Sequence, residues 1–101
     1  MNPVASHKAA LSLQDADRVL EISRRHGVDR VRVFGSAARG EAGPGSDLDL
    51  LVAFGPGRGF RDLMDFCEEV EAALGRRVDV LVEDGLSPYI RERVLKEAVA
   101  L

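Results

Sequence analysis

Tryptophan is absent from this sequence and aromatic residues make up only 5% of it, so Val, Leu, Ile and Ala must fill the interior. The single cysteine, Cys67, cannot form an internal disulfide, and a reducing, cytoplasmic setting is the simplest expectation. A cationic surplus is also lacking. The 14 Lys and Arg stand against 17 Asp and Glu, and the net charge of −3 argues against stable nucleic-acid binding through a broad basic face. No apolar run approaches the ~20 residues of a membrane-spanning helix. Met1 to Ala10 lacks the basic-then-apolar order of a secretory signal. What is present is globular: 101 residues, 46% hydrophobic and 31% charged, which read as one domain over 1–101. Residues 1–11 have no periodicity and are expected to be loosely held.

The pattern along the chain predicts α/β architecture. Ser12 reads as an N-cap answered by Asp15, opening a helix whose apolar face takes Ala16, Val19, Leu20 and Ser23, with Leu13 and Ile22 at its margins. Gly27 stops it. Val31 to Phe34 alternate as a short strand, and one helical turn is expected around Ala37 to Arg39. Leu48 to Phe54 is a nearly continuous apolar run, as in a strand covered on both faces. After the loop Gly55 to Gly59, the positions Phe60, Leu63, Met64, Cys67, Val70, Glu71 and Leu74 recur at helical steps, and Gly75 ends that helix. Val78 to Val82 is a third strand. Ser87 and Pro88 start a last helix with Ile90, Val94, Leu95 and Ala98 on its apolar side. The sum is a small mixed three-stranded sheet with helices packed on it.

Three carboxylates stand out in that frame. Asp47 and Asp49 lie two apart at the mouth of the second strand, so alternation points both to one face, and Asp is disfavoured in strands. Asp79 occupies the same relative place in the third strand. One helix joins these two strands, which implies a parallel crossover and brings all three aspartates to one end of the sheet. An antiparallel first strand would deliver Gly35 and Ser36 there too. Clustered carboxylates repel unless a cation neutralises them, and a hard divalent ion with oxygen ligands, Mg²⁺ most naturally, answers that need. Two such ions can clamp a nucleoside triphosphate. Gly35 lets backbone approach a phosphate, Ser36 can donate to it, and Arg39 adds a planar cationic fork. Taken singly, each of these residues reads more simply as a solvated turn or surface group. Their coincidence at one end of the sheet is what gives the reading weight.

Other candidates are weaker. The Gly55 to Gly59 loop lacks the Lys-Ser/Thr ending of a P-loop. The glycines at 35, 40, 43 and 45 do not fit a dinucleotide fingerprint. His7 and His26 lack the companions a zinc site needs, and Cys67 falls on an apolar helix face.

The runs Val33 to Gly40, Ser46 to Val52 and Val78 to Leu81 resemble the minimal nucleotidyltransferase (MNT) family of the DNA polymerase β-like superfamily. Its signature is Gly-Ser, ten residues (here Ala37 through Ser46), then Asp-x-Asp, with a third acid on a later strand. The resemblance implies the polymerase β-like nucleotidyltransferase fold. It implies that Gly35, Ser36, Arg39 and Ser46 bind the nucleotide, and that Asp47, Asp49 and Asp79 are the catalytic ligands of magnesium, with ATP as substrate. Ala37 departs from the family, where that position is often larger or charged. Because superfamily relatives carry a second domain for the acceptor, the resemblance also implies an acceptor on another protein. A HEPN-domain toxin is the partner expected, silenced by AMP transferred to a tyrosine. The alternative is a non-catalytic subunit that neutralises a toxin by binding alone. Docking is expected on the last helix and the sheet edge, with Tyr89 and Ile90 as apolar contacts, and self-association is open.

Overall fold

The computed structural model describes residues 11–40 and 47–101. Helix α1 spans Leu13–Arg25, and the Ser12 hydroxyl accepts from the Asp15 N–H at 3.0 Å, satisfying one of the N–H groups a helix start leaves open. Strand β1 (Val28–Phe34) runs into the one-turn helix α2 (Gly35–Ala38). Strand β2 (Leu48–Phe54), helix α3 (Phe60–Leu74) and strand β3 (Val78–Val82) follow. A 3₁₀ turn (Glu83–Gly85) leads to helix α4 (Pro88–Glu97), whose start is held by the Ser87 hydroxyl accepting from the Tyr89 N–H at 3.1 Å. A short strand β4 (Val99–Ala100) closes the described chain.

The sheet order is β3-β2-β1-β4. Strands β2 and β3 are parallel, while β1 is antiparallel to both β2 and β4. The sheet therefore has four strands rather than the three expected. The fourth is two residues long, too short for alternation to announce it, and it is defined by pairing Val99 with Val33 and Ala100 with Arg32.

Strand β2 is the centre of the molecule. Leu48, Leu50, Leu51 and Val52 are fully buried, which explains their unbroken apolar run: the strand has paired neighbours on both sides and covered faces. Against Leu48, Leu50 and Val52 pack Val31 and Val33 of β1, Val19 and Ile22 of α1, and Phe66 and Val70 of α3.

Both long helices bury part of the expected face, Val19 and Ser23 in α1 and Val70 in α3, and depart from it elsewhere. In α1, Ile22 is central and Leu13 is 66% exposed. In α3, Phe66 and Val70 are buried, whereas Phe60 and Met64, placed on the apolar face by spacing alone, are exposed. Leu11 is buried in the core instead of loosely held. Residues 1–10, including His7, lie outside the described residues. Tyr89 is almost fully exposed, and Ile90 is half-buried.

Candidate active site

The strand register builds the site. Phe34, the last residue of β1, pairs with Asp49 across the antiparallel ladder, and Asp49 pairs with Asp79 across the parallel one. Side chains of paired residues emerge on the same face, so the two aspartates stand side by side at the end of the sheet where β1 delivers Gly35. Asp47 immediately precedes β2 and is exposed, as is Asp79; Asp49 is half-buried.

Gly35 turns the chain from β1 into α2 with a left-handed φ of +68°, and a methyl built on it would come within 2.6 Å of Asp49 Oδ2. Glycine is needed here twice over: the backbone conformation disfavours any side chain, and the Asp49 carboxylate already occupies the space. Ser36 follows on α2, whose first turn has no side-chain cap. Arg39 caps the C-terminal end of α2, and its guanidinium donates to Glu97 Oε1 at 3.3 Å, tying the turn to α4. Ser46 lies outside the described residues.

Electrostatics report the crowding. The Asp49 carboxyl is raised above its ordinary value, first by burial and then by the negative charges of Asp79 and Asp47, with Arg39 pulling in the opposite direction. An anion held near two others, and only partly offset by Arg39, matches the chemistry of a hard divalent cation, which takes carboxylate oxygens. The donor set therefore fits magnesium by charge and ligand type. Among the described residues, however, no three His, Cys, Asp or Glu side chains are gathered tightly enough to enclose an ion. The aspartates share one end of the sheet without closing into a cage.

The far end of the same face carries a group that sequence reasoning missed. Glu83 is buried and takes Arg30 at 2.9 Å and Arg32 at 2.5 Å, while Arg91 donates to its backbone carbonyl at 2.9 Å. Arg32 alternates with Val31 and Val33 in the expected strand and Arg30 falls just before it, but nothing local tied either to an acid about fifty residues away.

The candidates set aside have structural roles. His26 bonds Glu69 at 2.7 Å and packs edge-on against Phe66, and Arg25 reaches the same carboxylate, whose value is lowered chiefly by the His26 hydrogen bond. Cys67 is half-buried, and that burial pushes its thiol up, away from thiolate chemistry. The Gly55 to Gly59 loop, with Phe54, Phe60, Leu63, Val82 and Asp84, borders an open cavity of about 520 Å³ at the opposite end of β2 from Asp49.

Residues 17–101 match the family described as nucleotidyltransferase domain. A candidate protein adenylyltransferase of Methanocaldococcus jannaschii is 43% identical over 82 residues, covering 81% of this chain and 88% of that protein. The protein adenylyltransferase MntA of Thermococcus cleftensis is 38% identical over 96 residues, covering 90% and 97%. A solved structure of a candidate minimal nucleotidyltransferase superposes with a TM-score of 0.80 at 52% identity, covering 87% of this chain and 90% of its own. The fold also recurs, at 15% identity and a TM-score of 0.67, in a structure of a tri-AMPylated HEPN toxin from Shewanella oneidensis in complex with an MNT antitoxin; the match covers 86% of this chain and 68% of that one. Among the described residues, no helix is long and apolar enough to cross a membrane.

Proposed function

Because this chain belongs to the nucleotidyltransferase domain family, we propose that it transfers AMP from ATP to a tyrosine hydroxyl of a HEPN-type toxin and thereby acts as an antitoxin. The observation that carries this reading is the Gly35 turn packed against Asp49, which is itself in register with Asp79. The names of relatives as protein adenylyltransferases, and the AMPylated toxin in the fold neighbour, support the reaction class and the kind of acceptor.

In this reading Gly35 and Ser36 hold the phosphates: the bare α-carbon permits close approach, and the hydroxyl and neighbouring N–H groups donate. Arg39 screens the negative charge beside Asp49. Ser46, before the Asp-x-Asp pair, contributes a further hydroxyl to the nucleotide. Asp47, Asp49 and Asp79 would hold two magnesium ions, which when bound neutralise the triphosphate and the leaving pyrophosphate. The acceptor oxygen bonds to the α-phosphorus, the bond to the bridging oxygen of the β-phosphate breaks, and pyrophosphate departs. Asp79, exposed on β3, takes the hydroxyl proton. The gain comes from alignment and charge rather than from a covalent enzyme intermediate.

The test is intact-mass measurement of a HEPN partner incubated with this chain, ATP and Mg²⁺. One or more added AMP groups on the partner, lost with Asp47→Asn or Asp49→Asn, is the expected result. Tight complex formation with no added mass would replace this reading with neutralisation by binding alone.

A further inference from the structure

The face that carries the three aspartates has a second, oppositely charged end. On β1, Phe34, Arg32 and Arg30 alternate onto the face shared by Asp49 on β2 and Asp79 on β3. At ~3.3 Å per residue, Arg32 stands about 7 Å and Arg30 about 13 Å along the strand from the level of the carboxylates. Leu51 and Leu81 lie on the same face and pair with each other; Leu51 is level with Arg32 and fully buried.

Three arginines, Arg30, Arg32 and Arg91, converge on one acid, Glu83. Glu83 and Arg32 are mostly covered, whereas the Arg30 side chain is 62% exposed. Glu83 therefore fixes the guanidinium groups in place; its one carboxylate is shared by Arg30 and Arg32, and Arg30, though paired, carries part of the cluster's surplus positive charge to solvent.

We infer that this arginine platform is a docking site for an acidic segment of the polypeptide acceptor, holding a carboxylate about 7–13 Å from the hydroxyl that is modified. The inference rests on the proposed transfer reaction for the identity of the acceptor. It rests on the structure for the charge and its placement. A protein acidic group fits better than a nucleic-acid strand, since a strand long enough to use the platform would also run its phosphates past Asp47, Asp49 and Asp79. A peptide can place an acid at one end of the face and a neutral hydroxyl at the other.

The test uses the full chain in millimolar Mg²⁺ and two fluorescent peptides. Each has one tyrosine, flanked on both sides by glutamates in one peptide and by lysines in the other, two to four residues away. Binding is read by anisotropy. The glutamate peptide should bind about tenfold more tightly despite the net negative charge of the protein. Arg30→Glu should erase that preference, and Arg30→Lys should keep most of it. Equal binding of the two peptides, or unchanged preference in Arg30→Glu, overturns the inference, as does tighter binding of a single-stranded RNA oligonucleotide at the same site. Because anisotropy needs no turnover, a failure of AMP transfer with the peptide preference intact would count against the proposed reaction and not against the platform.

Discussion

Replacing Gly35 with alanine separates what the turn contributes to stability from what it contributes to chemistry. Its φ of +68° is costly for any side chain, about 1–2 kcal/mol for an L-residue. For a domain of this size each kcal/mol lowers the melting temperature by roughly 4–8 °C, so a fall of about 5–15 °C is expected. The second consequence is local. The new methyl would sit 2.6 Å from Asp49 Oδ2, and the atom it meets is the end of a short, rotatable side chain. The carboxylate therefore swings away, adding little to the folding cost while leaving its working position. A displacement near 1 Å can cost about 100-fold in rate, and a loss of that order is expected in AMP transfer. Gly75 provides the control: its φ is +67° and a methyl there would meet nothing within 4 Å. Gly75→Ala should lose comparable stability and keep its transfer rate. Thermal melting and nucleotide labelling of the partner, run on both variants, decide the matter. Transfer by Gly35→Ala within about twofold of wild type would refute the reasoning, as would equal loss of transfer in the two variants.

Three more predictions follow from the same structure. Asp49→Asn should abolish transfer but raise the metal-free melting temperature at neutral pH. The folded protein raises the Asp49 carboxyl above 3.8, so its contribution is fully present below that pH and is lost as pH rises through the folded value; a wild-type–minus–mutant melting difference that does not fall over that interval would contradict this. Glu83→Gln strands Arg32 in a mostly covered position and weakens the hold on Arg30. After allowance for the exposure of Arg30, the loss is about 2 kcal/mol, or roughly 10 °C, and an unchanged melt would count against the network. Phe66→Ala should cost about 3–5 kcal/mol and Phe60→Ala less than about 0.5, since only the former is buried; denaturant titration giving the reverse order would show that α3 presents its other face to the sheet.

Local chemistry explains which parts of this architecture were legible. Ser12, Ser87 and Pro88 marked helix starts because capping acts within three residues. The β2 run was readable because a central parallel strand needs no polar face. The Asp49 and Asp79 juxtaposition followed from one topological rule, the parallel crossover, whereas Gly35 joined them only on the added assumption of an antiparallel first strand. What escaped depends on distant partners. Phe66 was overlooked because Phe60 and Met64 suit an apolar face equally well by spacing, and only docking against β2 chooses between the two rotations. The Glu83 cluster joins residues from β1, the 3₁₀ turn and α4, and no periodicity within any one of them announces it. Strand β4 exists only through its pairing with β1.

The placement of Asp49 on β2 has a consequence for how the protein loses activity. A side chain mounted on a flexible loop can go out of alignment while the rest of the molecule stays intact, so inactivation precedes melting. Asp49 is instead rooted between Leu48 and Leu50, both fully sealed from solvent in an inner strand of the sheet. Its backbone amide belongs with the slowest to exchange with deuterium, opening only when the entire domain opens. Heat should accordingly silence the protein and unravel it at the same temperature.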